Sequence, residues 1–483
     1  MRSSFSGTRC REVLDPVLAV CPRECKDVRL EAMIDAQAVR EAVLGDRDTI
    51  FKQLSEIVSY HSVHGDPALA DHAAGAARWV EEALTEAGLA VEAIDTTDGS
   101  TALIGTRAPD AGQPTVLLYC HHDVVPAGDP DAWTSDPCTL TERGGRWYGR
   151  GAADCKGNLV MHLAALRAVA AAGGTGVGLT VVVEGSEEKG GEGLDALIEQ
   201  RPELFAADAI MIADTGNAAV GTPTLTTSLR GGAQLTVTVR TLEAPVHSGL
   251  FGGAAPDAVF ALIRALDSLR DVEGRTVIEG VDTSARWPGE HYDPEDFRRD
   301  AGVLDGVRLT GGNEDALADF LWARPAVSIT GLTSTPVDRA VNAVAPMAQA
   351  KINLRVPAGV SAADTADAVA AHLRHHVPWG AHIEVDIEDV NDGFATDVQA
   401  PVLSLLRACL AEAYGTERSA TLGSGGSIPL TTKLHEAHPN AEIALFGVEE
   451  PHCLIHSADE SVDPTEIERV AIAEALFLLR YGQ

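Results

Sequence analysis

Val116-Leu-Leu-Tyr-Cys-His-His-Asp123 decides how this chain is read: an uninterrupted apolar run ends on two imidazoles and a carboxylate. Short apolar, β-branched runs mark strands buried on both faces of a parallel sheet. Two further runs follow the same plan. Leu179-Thr-Val-Val-Val183 leads into Glu184-Gly-Ser-Glu-Glu188, and Ala209-Ile-Met-Ile-Ala213 leads into Asp214. Open α/β sheets bind ligands beyond the carboxyl ends of their strands. Hard oxygens and imidazoles brought to that edge from distant parts of the chain therefore predict a metal site.

Around these strands, helix and strand patterns alternate through residues 33–228: a helix near 74–88, a strand at 115–120, a helix at 157–171, and strands at 179–184 and 209–214. The alternation predicts a doubly wound α/β domain. Gln234-Leu-Thr-Val-Thr-Val239 then changes to period two, a strand with one wet face. A helix near 256–268, strands at 326–332 and 347–356, a helix at 361–376 and a strand at 382–390 complete the order β-α-β-β-α-β. That is a ferredoxin-like, split βαβ domain, interrupted by an acidic insertion near 270–325. A helix at 401–414, a strand at 442–447 and a helix at 464–480 return to the first sheet. The expected division is a catalytic domain in two parts, 33–228 and 394–483, with a small domain inserted at 229–393.

Composition narrows the partners. Against 37 Lys and Arg stand 71 Asp and Glu, a net charge of −34, which argues against nucleic acid or an anionic membrane surface. No apolar run reaches the length of about 18 residues that a membrane span needs. Cys120, Cys138, Cys155, Cys409 and Cys453 show no paired spacing, which fits a reducing cytoplasm. Residues 1–32 carry the other three cysteines and no signal-peptide core. The expectation is either that Met33 is the biological start and residues 1–32 are non-native, or that residues 1–32 are a disordered extension.

The candidate ligands are His121 or His122, Asp154, Glu187 and Glu188, Asp214, and His456. A two-zinc hydrolytic centre needs an imidazole and a terminal carboxylate for each ion, with a bridging carboxylate and water between them. His121, His456, Glu188, Asp214 and Asp154 supply that set and leave Glu187 over as general base. Four metal charges against three carboxylates and a hydroxide balance, which matters where unpaired buried charge is costly. Residues i and i+2 of an extended segment project to one side, so Asp123 can accept the second ring proton of His121 and fix its tautomer.

These segments resemble the M20 family of metal-dependent peptidases and deacylases. Leu118-Tyr-Cys-His-His-Asp-Val-Val-Pro126 resembles its first histidine motif, and Tyr148-Gly-Arg-Gly-Ala-Ala-Asp-Cys-Lys-Gly157 its bridging-aspartate motif. Glu184-Gly-Ser-Glu-Glu188 resembles its base-plus-ligand motif, and His456-Ser-Ala-Asp-Glu460 its last histidine motif. The resemblance implies that His121 is the first ligand, Asp123 its orienting partner and Asp154 the bridge. It further implies that Glu187 is the base, that Glu188, Asp214 and His456 complete the metal set, and that the peptide bond after Asp154 is cis. It implies two zinc ions per subunit, replaceable by manganese or cobalt.

The inserted domain is similar to the family's lid or dimerisation domain. Through His247-Ser-Gly-Leu-Phe-Gly-Gly253, the resemblance implies that His247 reaches across a homodimer to the oxyanion. Asn342-Ala-Val-Ala-Pro346 and Arg355 resemble a stretch whose arginine holds a substrate carboxylate, and Gly425-Gly-Ser-Ile-Pro429 one in which Ser427 and neighbouring backbone, Gly426 included, do the same. Leu422-Gly-Ser424 departs from the arginine and glutamate that dipeptidases of the family often carry there. The implied protein is a cytoplasmic, homodimeric dizinc dipeptidase of the carnosinase-like branch acting on small peptides. The alternative on the same scaffold is an N-acyl-amino-acid deacylase of the acetylornithine or succinyl-diaminopimelate type.

Overall fold

Strand Thr115–His121 is the centre of the molecule's larger sheet because all but its first residue are buried. It lies between Gly178–Glu184 and Ala209–Ala213, both parallel to it, so all three ligand-bearing ends reach one edge. The computed structural model describes residues 35–311, 316–426 and 428–483, so the expectations for residues 1–32 and Ser427 lie outside the described residues. Among those described, the larger sheet has nine strands. It is mixed rather than purely parallel. Ala90–Asp95 and Thr101–Arg107 extend it antiparallel on one side. On the other side Glu442–Phe446 is parallel to Ala209–Ala213, while Thr224–Leu229 meets Glu442–Phe446 antiparallel.

Helix Lys156–Ala171 begins directly after the Asp154 segment and is buried along most of its length. Beside it packs Pro464–Arg480, whose Asp463 side chain caps the first turn by accepting the Thr465 N–H. Such a cap contributes about 1 kcal/mol. These two helices brace the sheet beneath the ligand-bearing edge. Among the described residues no helix is long and apolar enough to cross a membrane.

A second, four-stranded antiparallel sheet has the order Ala326–Thr333, Met347–Val356, Gly231–Arg240, His382–Asn391. Helices Ala258–Asp267 and Ala362–His376 pack on it. This is the strand order of a β-α-β-β-α-β sandwich. Alternation does the work: every second residue of Met347–Val356 is buried. Leu235, Val237, Val239, Ile352 and Leu354 join Leu262, Val369 and Leu373 of the helices in a core of their own. Thr224–Leu229 runs into Gly231–Arg240 through the single residue Arg230, and the returning strand Phe394–Ala395 pairs with Thr224–Leu229. Both connections between the sheets therefore run side by side.

Candidate metal centre

His121 is fully buried at the end of its strand. Its Nδ1 lies 3.1 Å from the Asp123 carbonyl and 3.3 Å from Asp123 Oδ1. Its Nε2 faces the opposite way, 3.1 Å from Asp154 Oδ1 and 3.3 Å from Asp214 Oδ1. His122 points elsewhere: its Nε2 lies 3.3 Å from the Thr101 carbonyl, and burial pulls its pKa down to about 4. Of the two imidazoles, it is His121 that the strand turns toward the carboxylate cluster.

Asp154 gives one carboxylate oxygen to each imidazole, Oδ1 to His121 and Oδ2 to His456 Nε2 at 3.0 Å. His456 Nε2 also lies 3.1 Å from Glu188 Oε2. Two ligand groups result, His121 with Asp214 and His456 with Glu188, sharing Asp154 between them. The Asp154–Cys155 peptide is cis, as the sequence comparison implied. Leu454 and His456 both have positive φ, 54° and 61°, and this left-handed turn carries the half-exposed imidazole to the cluster.

Asp123 does more than orient His121. Its two carboxylate oxygens accept the Glu187 and Glu188 N–H groups, each at 3.1 Å, pinning the turn that carries both glutamates. Glu187 Oε2 lies 4.0 Å from His121 Nε2. Burial, reinforced by the Asp214 carboxylate, pushes the Glu187 pKa up to about 9. Burial likewise raises Asp214 to about 6 against the pull of His121. Asp154 behaves oppositely. Burial works to raise it, but hydrogen bonds from His121 and His456 outweigh that and hold it well below the usual carboxylate range.

Two buried glutamates were missed in the sequence. Glu449 meets Asp154 and Asp214, with ligand atoms of the three within 4.8 Å of one another. Burial and those two carboxylates raise its pKa far above normal, while Asn158 donates to its Oε1 at 2.9 Å. A signal existed: Glu449-Glu450 follows strand Glu442–Phe446 closely, as Glu187-Glu188 follows Gly178–Glu184. The Glu449 loop runs so close to the one after Asp214 that a side chain at Gly216 would meet the Glu449 carbonyl. Glu460, fully buried, binds the loop before Asp154. It accepts the Gly151, Ala153 and Asp154 N–H groups at 3.0, 3.1 and 3.2 Å, and Arg150 Nη1 at 2.6 Å.

The donor set fits divalent cations. Its convergent atoms are carboxylate oxygens and imidazole nitrogens, which bind divalent ions such as zinc, manganese and cobalt. Glu188 Oε1 is buried without a hydrogen-bond partner, which is costly for a carboxylate unless a cation meets it.

The remaining predicted residues lie on or beside the second sheet. His247 is exposed, its Nδ1 accepting the Gly249 N–H at 3.1 Å, and the Asn342 carbonyl accepts the next N–H, that of Ser248, at 2.9 Å. Arg355 Nε lies 3.1 Å from Asn353 Oδ1. Arg230, also missed in the sequence, joins Arg355 to Gly426. Its N–H donates to the Gly426 carbonyl at 3.2 Å and its guanidinium to the Arg355, Leu321 and Arg324 carbonyls at 3.3, 2.6 and 3.3 Å.

The profile of peptidase family M20/M25/M40 matches residues 117–480. The chain belongs to this family. It is 57% identical over 439 residues to a cysteinylglycine-S-conjugate dipeptidase of Corynebacterium striatum, covering 91% of this chain and 96% of that protein. It is 26% identical over 463 residues to the Cys-Gly metallodipeptidase DUG1 of Saccharomyces cerevisiae, covering 90% and 95%. The crystal structure of human carnosine dipeptidase 1 superposes with a TM-score of 0.76 at 23% identity, covering 92% of this chain and 98% of that one. The protein is therefore an M20 metallopeptidase, and the two relatives above are dipeptidases by name.

Proposed function

We propose that this enzyme is a dizinc dipeptidase, and that the observation carrying the reading is Asp154, with one oxygen on each imidazole group. His121 and Asp214 would hold one ion, His456 and Glu188 the other, and Asp154 both. When bound, such a pair acidifies water and polarises a carbonyl. Asp123 sets the His121 ring and fixes the turn bearing Glu187. Glu187, 4.0 Å from His121 Nε2 beside both ligand groups, takes a proton from the attacking water and delivers it to the departing nitrogen. Glu449 is a candidate support for the Asp154–Asp214 side.

Arg355, Gly426 and Ser427 would hold the substrate carboxylate, with Asn342 shaping the loop beside His247. Clamping both ends limits substrates to about two residues. His247 of a second copy would donate to the oxyanion. Exposed Leu250, Phe251, Phe260, Ile329 and Leu332 support a homodimer through the second sheet, since Ile329 and Leu332 lie on its edge strand. In this reading 229–393 is the lid and dimerisation domain, 33–228 with 394–483 the catalytic domain, and the cytoplasm the compartment.

A cavity of about 310 Å³ supports S-substituted Cys-Gly among the substrates, following the Corynebacterium relative. Asn217 and His452, from the loops after Asp214 and before His456, form one wall, and Leu422, Trp322 and Tyr292 add apolar surface. The test is hydrolysis of Cys-Gly, S-benzyl-Cys-Gly, β-alanyl-histidine, tripeptides and N-acetyl amino acids by the zinc- or manganese-loaded enzyme. Activity confined to free dipeptides, greatest with the S-substituted one, is expected. Activity only on acylated amino acids would replace the dipeptidase reading with the deacylase.

A further inference from the structure

In a turn beside the helices of the second sheet, remote in sequence from the catalytic ligands, Glu279 collects two imidazoles. Its Oε2 lies 3.0 Å from His375 Nδ1 and its Oε1 2.9 Å from His376 Nε2. Adjacent residues of a helix diverge by about 100° and do not normally share a partner. Here both rings turn onto one carboxylate at the carboxyl end of helix Ala362–His376. The unpaired carbonyls of a helix end attract a cation.

The carboxylate is held in place from behind. His372, one turn earlier, stacks on His376 with ring centroids 4.3 Å apart. Its Nδ1 accepts the Glu279 N–H at 3.2 Å, and its Nε2 lies 3.0 Å from Ser268 Oγ. Both its nitrogens are engaged, so His372 acts as the brace and leaves three donors facing one another. The donor atoms of Glu279, His375 and His376 lie within 4.8 Å of one another. Tetrahedral zinc bonds of about 2.0–2.1 Å put neighbouring ligand atoms roughly 3.3 Å apart. The oxygen-to-nitrogen separations here, 2.9 to 3.3 Å, nearly match the 3.0 to 3.3 Å of the catalytic cluster.

We propose that Glu279, His375 and His376 form a second, peripheral site for a divalent transition metal of the zinc, nickel or copper type. Two imidazoles and one carboxylate suit such ions better than magnesium or calcium. The side chains are 71% (His375), 50% (Glu279) and 36% (His376) exposed, so water completes the coordination and the ion exchanges with solvent. Without the ion, hydrogen bonds from His375 and His376 hold the Glu279 carboxyl down to about 2; the same ring nitrogens give up those protons when a cation binds. The site joins the segment entering the 270–325 insertion to the end of a core helix. A bound ion would staple the neck of that insertion and stabilise the fold by binding the folded chain alone.

The test compares zinc per chain after equilibrium dialysis of chelator-stripped full-length protein at micromolar free zinc. The proteins are wild type, the double variant His375→Ala/His376→Ala, and Glu279→Gln, which keeps the local shape should the double variant misfold. Both variants should bind one zinc fewer than wild type and keep wild-type dipeptidase turnover. Zinc should raise the thermal midpoint less in both than in wild type. Asp154→Ala, which empties the catalytic cluster, should keep the peripheral ion, so failure of one assignment is distinguishable from failure of the other. Equal zinc content in wild type and both variants would overturn the proposal, as would loss of turnover in step with the lost ion.

Discussion

Glu460→Gln tests how the bridging aspartate is held. The carboxylate accepts Arg150 and Gly151 on one oxygen, and Ala153 and Asp154 on the other. A glutamine amide keeps one acceptor oxygen, so in either orientation an NH₂ group faces two donors. Arg150 and Glu460 have side chains no more than 3% exposed, and the substitution takes the counter-charge from a buried guanidinium whose remaining hydrogen-bond partners are the Pro126 and Ser457 carbonyls. Removing one partner of a buried ion pair costs about 3–5 kcal/mol. A buried N–H left without an acceptor adds roughly 1–3 kcal/mol. Burial itself raises the Glu460 carboxyl against the pull of Arg150 and the backbone N–H groups, which favours the lower end of the range. The expectation is a loss of about 4–5 kcal/mol, read by urea unfolding of chelator-stripped protein. Because Asp154 hangs from this carboxylate, metal affinity should also fall roughly 10–100-fold, the usual effect of losing a group that orients a ligand. Competition against a chromophoric chelator measures it. Normal stability would refute the anchoring role, and lost stability with unchanged metal affinity would show that Asp154 is positioned by something else.

Asp154→Ala removes the carboxylate shared by both ligand groups, and elemental analysis should find the catalytic ions lost; full occupancy would refute the bridge. Glu187→Gln should keep the metals and lower kcat by about 10²–10⁴-fold, the contribution of a positioned base, and unchanged kcat would remove Glu187 from that role. Gly423→Ala would place a methyl carbon 2.6 Å from Trp322 Cγ. Overpacking of this kind costs about 1–3 kcal/mol, and it should alter turnover of S-benzyl-Cys-Gly more than of Cys-Gly; equal effects on both would detach Trp322 from substrate choice.

Much of the architecture was legible because burial leaves a simple trace. Continuous apolar runs announced the three strands that end at the cluster, period-two alternation announced Gly231–Arg240 within a few residues of its ends, and Met347–Val356 was placed at 347–356. Strand direction leaves no such trace, since pairing partners are distant in sequence; the mixed sheet was therefore unreadable. Ala90–Asp95 was hidden for another reason: it is an edge strand with no fully buried residue, so it lacks the apolar signature. At the site, the sequence motifs named His121, Asp154, Glu188, Asp214 and His456, which the fold brings together, whereas Glu449, Glu460 and Arg230 were not singled out. Arg230 acts through carbonyl groups, which every residue possesses and no sequence pattern records.

Arg230 has a consequence for how relatives of this enzyme diverge. One buried cation holds the carbonyls of Leu321 and Arg324, in the insertion, and of Arg355, on the second sheet. A change of length or packing in the insertion must therefore be felt where Arg355 sits, without any alteration of Arg355 itself. If Arg355 holds the substrate carboxylate as proposed, peptide preference can then drift through edits to a segment that carries none of the proposed metal ligands of the catalytic cluster, while those ligands stay fixed. Two paralogues identical at every catalytic position could in this way part company over their substrates.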